Sequence, residues 1–375
     1  MKLLLGITCI LLTATPVFAQ TALIDSATGN VLLKRRTWSD FLPTGINTAL
    51  DEQDQIRVTN GSRVRVTCPN HRNPSWTSEQ PTGVRRLCGG WGLVKSRGTQ
   101  AAAVLGGADA SIPYLLSPRH TLLLSNTPTF RWNAVPEAKQ YTIQLKSPKG
   151  IIWETNTQAT QISFAGTPTL QSGVAYSLIV KASNGKSSDQ DGTANQRSTD
   201  LDFRILRPSE AETVKAEVAA IVQSSTTPEV IALRLANYYG NYVLPNSAIQ
   251  AYGLSDPLFE TYSLTTDGIN ILEAQLKQGK ASSILHRALG NLYWQIGLVQ
   301  PAISHYTQAL SLIRSSQDLE EWTLAHYTLG QIYTATNSTT NALNAYQQAR
   351  IGFLFLGDTQ RAGALERRID KLKKE

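Results

Sequence analysis

Cysteine is scarce in this chain, with three in 375 residues and no two in a Cys-x-x-Cys pair. Cys68 and Cys88 have only His71 nearby as a third ligand, so a structural zinc site is not expected. Histidine is scarce too, at five, and no His-Glu-x-x-His occurs, which removes the commonest zinc-hydrolase helix. No Gly-x-Ser-x-Gly is present, so a nucleophile elbow is not indicated. No Gly-x-x-x-x-Gly-Lys followed by Ser or Thr occurs, so P-loop nucleotide binding is not indicated either. Beyond the first nineteen residues no apolar run approaches membrane-spanning length. These absences predict a protein that is not an enzyme and carries no cofactor and no catalytic metal.

What is present begins with Lys2, an apolar stretch to Leu12, and Val17-Phe18-Ala19. One early cation, a short apolar core and a small-x-Ala end read as a secretory signal peptide over 1–19, with the mature chain starting at Gln20. Cys9 lies inside that apolar core with no spacer before it, which argues against a lipid anchor. Export predicts an oxidising compartment, the periplasm or the cell exterior. There Cys68 and Cys88, the two cysteines left after signal removal, are expected to join. The alternative is two unpaired thiols packed in a core. Net charge is +7 with a pI near 9.2, below the cation density of a nucleic-acid protein.

The strongest pattern lies near the C-terminus. Leu289-Gly290, Tyr293, Ala302, Tyr306 and Ala309 recur forty residues later as Leu329-Gly330, Tyr333, Ala342, Tyr346 and Ala349. A repeat of that period predicts stacked helical hairpins. Leu235-Ala236 and Tyr239 start an earlier copy. Its second helix fits two registers, one through Ala248, Tyr252 and Ser255, the other, which we prefer, through Gly268, Leu272 and Gln275. Four extra residues, Ser315 to Asp318, suggest lengthened helices. The last segment, Thr359 to Lys374, reads as a cap with Leu365, Ile369 and Leu372 inward and charges outward. The spacing resembles that of tetratricopeptide repeats over roughly 229–375. The family's usual tryptophan is His286 and His326 here, and its closing proline is Arg314.

The N-terminal half reads as β. Val31 to Lys34, Gln55 to Val58 and Arg63 to Thr67 are short strand-like runs, the third alternating Arg with Val. Asn60-Gly61 between the last two is a hairpin turn signal. Gly29-Asn30-Val31, Arg35-Arg36-Thr37-Trp38, Leu50, Asp54 to Arg57 and Ser62 to Val66 together resemble the FecR-type β domain, with Gln53 where the family has glycine. That resemblance implies an exported sensing or envelope module. Farther on, Pro128 to Trp132, Tyr141 to Leu145 and Leu170-Gln171-Ser172-Gly173-Val174-Ala175-Tyr176 resemble a fibronectin type III sandwich. There Trp132, Tyr141 and Tyr176 would pack the core. Asp189, Asp191, Gly192 and Asn195 resemble part of a calcium loop, but the closing glutamate is missing, so a solvated loop is expected.

The predicted organisation is multidomain α+β. A signal peptide (1–19) leads to a FecR-like β domain (22–97), a Gly- and Ala-rich linker (98–112) and a fibronectin-like sandwich (113–207). A connecting helix (208–228) and a tetratricopeptide array with its cap (229–375) follow. The order of modules resembles that of cyanobacterial envelope proteins. The expected function is a non-enzymatic exported scaffold that docks another protein or peptide in the groove of the array. Asn237, Arg287, Asn291, Trp294, Thr328 and Gln331 are the candidate groove residues, as the less apolar first-helix positions. The alternative is a module that holds an anionic envelope polymer on a basic face of the first domain, formed by Arg57, Arg63, Arg65, Arg85 and Arg86. Against this stands a merely solvated sheet face.

Overall fold

The computed structural model describes residues 21–90, 105–192, 202–244 and 262–374. The expected signal peptide, Asn195, the alternative register through Ala248, Tyr252 and Ser255, and linker residues 98–104 lie outside the described residues.

The first unit contains β1 (Ala22–Thr28), β2 (Val31–Lys34), β3 (Leu42–Thr44), β4 (Ala49–Leu50), β5 (Gln55–Val58), β6 (Arg63–Thr67), β7 (Ser75–Trp76), β8 (Thr82–Gly83) and the short helix α1 (Val84–Cys88). They form two sheets, ordered β4-β1-β6-β7 and β3-β2-β5-β8. Alternation does what it predicts: Val31, Leu33, Ile56, Val58, Val64 and Val66 are all buried in one core. The hairpin expectation at Asn60-Gly61 is corrected. β5 pairs with β2 and β8, whereas β6 pairs with β1 and β7. The turn carries the chain from one sheet to the other, because both strands must turn their β-branched faces into the same core. Cys68 and Cys88 are disulfide-bonded, with Cα atoms 5.5 Å apart, and both are fully buried.

The second unit contains β9 (Leu115–Ser117), β10 (Thr121–Leu123), β11 (Thr129–Trp132), β12 (Tyr141–Ser147), β13 (Gly150–Thr157), β14 (Gln161–Ser163), β15 (Ala175–Ala182) and β16 (Phe203–Ile205). A five-stranded sheet, β10-β16-β15-β12-β13, faces a three-stranded one, β14-β11-β9. Phe130 and Trp132 from the smaller sheet meet Ile143, Leu145, Tyr176 and Phe203 from the larger in one cluster. Trp132 stands edge-on to Tyr141 at 5.5 Å. The Tyr176 hydroxyl accepts from the Gln171 backbone N–H at 2.7 Å, fixing the turn into β15. Both tyrosines bury large apolar area while their hydroxyls accept a backbone N–H, that of Tyr141 from Val135 at 2.9 Å.

Helices follow: α2 (Pro208–Ser224), α3 (Pro228–Gly240), α4 (Thr265–Lys277), α5 (Ser283–Gln295), α6 (Val299–Leu312), α7 (Leu319–Ala335), α8 (Thr339–Phe355) and α9 (Thr359–Leu372). Proline opens α2 and α3, where its missing N–H costs nothing. Side chains of Thr227, Ser282 and Asp358 cap α3, α5 and α9 by accepting a backbone N–H. The helices pack as pairs, α3 with α4, α5 with α6 and α7 with α8, and α9 closes on α8. Thus the partner of α3 is the helix carrying Gly268, Leu272 and Gln275. The pairs are held close by glycine facing tyrosine. A Cβ at Gly330 would lie 2.5 Å from the Tyr346 ring, so only glycine fits there. Tyr306 and Tyr346 are wholly buried. The extra residues before the last pair go into a 3₁₀ turn (Ser316–Asp318) and a seventeen-residue α7, against thirteen for α5.

The two β units hold opposite ends of these helices. The first unit lies at the starts of α3, α7 and α9: Thr226 bonds Asp25, Arg35 bonds Glu320, and Thr37 donates to Asp358 at 2.6 Å. The second unit lies at the far ends. Leu122 N–H donates to Ser263 O at 2.8 Å just before α4, and Arg119 Nε donates to Ile296 O at 3.0 Å just after α5. Part of the expected linker belongs to this contact. Gly106 exchanges backbone bonds with Gly297 and Val299, and a Cβ on it would strike Asp191 at 2.2 Å.

Candidate docking groove

Between α7 and α9 runs an open groove of about 550 Å³ with α8 as its floor. It exists because α9 is amphipathic in a particular way. Ala362, Leu365, Ile369 and Leu372 turn inward, so α9 packs on α8. Arg361, Ala364 and Arg368, at i, i+3 and i+7, then form a neighbouring stripe that faces α7 across the gap, with Leu365 at its foot. The opposite wall is α7, with Leu324, Tyr327 and Gln331. Tyr346 and Phe353 rise from α8 beneath them.

The two arginines are laid over the aromatic floor. The Arg361 guanidinium sits 5.2 Å from the Phe353 ring and pairs with Asp358 at 3.0 Å. The Arg368 guanidinium sits 5.5 Å from the Tyr346 ring, and its Nε donates to the Tyr346 hydroxyl at 3.1 Å. Cations over ring faces are stabilised by the ring quadrupole while their outer N–H groups stay free to donate. Gln331 contributes a buried Oε1 with no donor in reach.

Of the six groove candidates from sequence, only Gln331 lines this groove. Asn237 stands at the other end of the array, beside a small pocket shared with Glu217 and Arg234. Arg287 is spent on Glu321, with Nη2 donating to Oε1 at 2.9 Å. Asn291 accepts from the Tyr306 hydroxyl. Trp294 is buried among Leu292, Ile296 and their neighbours. Thr328 is buried and donates to Leu324 O at 3.1 Å. Arg361, Ala364 and Arg368 were missed, because α9 reads from sequence as a cap whose charges merely face water. The signal available was the arginine pair seven residues apart, flanking the inward stripe.

The five candidate basic residues do not form one face. Arg57 belongs to one sheet and stacks on Phe41 at 4.7 Å, while Arg63 and Arg65 belong to the other. Arg65 pairs with the buried Asp25 at 2.8 Å, and Arg63 donates to Ser75 at 3.2 Å. Arg85 and Arg86 sit on α1, with Arg85 paired to Glu52 at 3.2 Å. The change of sheet at Asn60-Gly61 is what separates them. The calcium-like loop is likewise committed: Asp191 receives Arg119 at 3.1 Å and the Gly107 N–H at 2.7 Å. Both carboxylate oxygens therefore face donors. No group of three or more His, Cys, Asp or Glu able to hold a metal occurs among the described residues.

His286 and His305 meet Nδ1 to Nδ1 at 3.0 Å, and His305 stacks on Tyr293 at 5.4 Å. His326 stands edge-on to Trp322 at 4.5 Å. Burial holds the His305 and His326 imidazoles down at about 4.

No protein-family model and no curated protein sequence matches the chain. Among solved structures it is similar to two crystal structures of MamA, each 15% identical with a TM-score of 0.26. Both cover 44% of this chain, and 86% and 92% of the MamA chains. A likeness at that level says nothing of what this chain binds. None of the described helices is long and apolar enough to cross a membrane.

Proposed function

We propose that this chain is an exported, non-enzymatic scaffold that docks another protein on its helical array. In this reading the array is a tetratricopeptide solenoid. The two β units, FecR-like and fibronectin type III-like, serve as its mounts. The observation that carries the reading is the groove between α7 and α9. It is an open, largely apolar trough of about 550 Å³ between α7 and α9, whose starts are both fastened to the first β unit. Concave apolar sites with a few directed polar groups are where ligands settle. A catalytic role would need converging nucleophiles, acids and bases, and the groove offers only guanidinium, hydroxyl and amide groups.

Site-specific photocrosslinking in the producing cell tests the reading. A photoreactive residue at Ala364 or Gln331 is expected to trap a partner protein, whereas the same residue at Thr340, exposed at the start of α8 and outside the groove lining, is not. Equal trapping at all three positions, or none at any, overturns it. Cleavage of the precursor between Ala19 and Gln20, read by N-terminal sequencing of the mature protein, tests export.

A further inference from the structure

The lining of the groove is one-signed. Its only charged groups are Arg361 and Arg368, and no Asp or Glu lines it. Arg361 shares its charge with Asp358, whose side chain is fully buried beneath it. Arg368 has no carboxylate partner among the described residues; its one hydrogen bond goes to the neutral Tyr346 hydroxyl. A guanidinium carries five N–H donors in a planar fork, so most of those of Arg368 remain unfilled by protein. The two arginines are seven residues apart, about 10 Å along the helix. Between them lies Ala364, which leaves the wall low, and beneath them lie Leu365, Phe353 and Tyr346. The result is an apolar trough with a pair of cations along one lip.

We propose that the groove takes an acidic, amphipathic peptide segment, whose apolar side chains fill the trough while its carboxylates meet Arg368 and Arg361. The inference rests on the docking reading above and narrows it to one partner chemistry. Charge complementarity supports the choice. An unpartnered guanidinium over a low-dielectric apolar floor is a preformed carboxylate fork, and bidentate Arg–carboxylate contacts are strong and directional. A basic segment would instead face two like charges.

Three labelled dodecapeptides test it by fluorescence anisotropy with the intact, disulfide-bonded protein. All share the same Leu and Phe positions and differ only in carrying Glu, Gln or Lys between them. The Glu peptide is expected to bind at least about tenfold more tightly than the Gln peptide, and the Lys peptide weakest. Its advantage is expected to shrink with added salt. Arg368→Gln is expected to erase most of the difference between the Glu and Gln peptides while leaving the Gln peptide unchanged. Ala364→Trp, at an exposed position that does not threaten folding, is expected to weaken all three.

Equal binding of the three peptides, lost in Ala364→Trp, would overturn the acidic preference and leave groove docking standing. A Glu preference that survives both Arg368→Gln and Ala364→Trp places the binding elsewhere on this basic chain and overturns the proposal. No binding by any peptide at about 1 mM overturns both the proposal and the docking reading.

Discussion

Arg35 and Glu320, 285 residues apart in sequence, meet through two parallel hydrogen bonds of 2.9 and 2.8 Å. The same guanidinium also reaches Asp54 at 2.5 Å. One side chain thereby fastens the first β unit to the start of α7. All three groups are largely removed from solvent, with side-chain exposures of 12%, 16% and 2%. Burial alone would lower the basicity of Arg35, but Glu320 and Asp54 more than offset it.

Removing the cation strands two buried carboxylates. Arg35→Ala is expected to cost about 3 to 5 kcal/mol. Glu320→Gln, which leaves the Asp54 bond in place, is expected to cost about 1 to 2 kcal/mol. Urea denaturation of the two single variants and the double variant checks this. The double is expected to fall short of the sum, because both changes break one contact. Strict additivity would mean the pair does not couple the units.

Packing at the repeat glycines is graded. A Cβ at Gly330 meets the Tyr346 ring at 2.5 Å, whereas one at Gly290 meets Tyr306 at 3.0 Å. Alanine gains up to about 1 kcal/mol of helix propensity at either site. Overpacking at Gly330 is expected to exceed that gain, destabilising by about 1 to 3 kcal/mol. Gly290→Ala is expected to lie closer to neutral. Thermal melts of the two variants compare them directly, and a more stable Gly330→Ala would show that Tyr346 gives way.

The buried imidazoles set an acid limit. Their folded-state values of about 4 lie below the ordinary 6.5, so the unfolded chain binds more protons between those two pH values. The imidazoles' contribution therefore stands complete above about pH 6.5 and is lost progressively as pH falls toward 4, against an opposite contribution from Asp54 and Asp267, whose carboxyls burial pushes up to about 6 and about 7. The His305→Gln, His326→Gln double variant is expected to flatten the urea midpoint across that window. An unchanged slope would place the acid sensitivity elsewhere.

The disulfide closes a loop across a sequence separation of 20, whose constraint contributes about 3 kcal/mol in the chain-entropy picture. The loop also docks on α2: His71 Nε2 lies 3.3 Å from Glu217, and the Asn73 amide donates to Ser224 O at 2.9 Å. Cys68→Ser with Cys88→Ser is expected to lower stability by roughly that amount or more. Because both sulfurs are fully buried, thiol reductants are expected to act on the native protein only as fast as it opens, read by mass spectrometry after alkylation.

Local rules made the helices legible. Leu, Gly and Tyr at fixed offsets are direct consequences of two helices packing closely, so Gly330 and Tyr346 announce their own contact. The same holds for Trp132, Tyr141 and Tyr176, which report a core between two sheets. Asn60-Gly61 misled because a turn signal describes four residues. Which sheet each flanking strand joins is decided by where Ile56, Val58, Val64 and Val66 find a common core. The groove was legible only in Gln331. Sequence tells which stripe of a helix is apolar, as for Leu365 and Ile369. It does not tell which neighbouring stripe, here Arg361 and Arg368, a second helix leaves uncovered. Nor does it reveal that Arg287 and Thr328 are already engaged by their own chain.

A stack of helical pairs free at its rims tolerates extra pairs, since each pair touches only its neighbours. Here Thr226 and Glu320 bind the first unit at one rim, and Ser263 and Ile296 bind the second at the other. Inserting one more helical pair between α3 and α7 would carry Glu320 out of reach of Arg35. The number of helical pairs that fit is thus tied to the two β units, and the span between their contacts acts as a ruler.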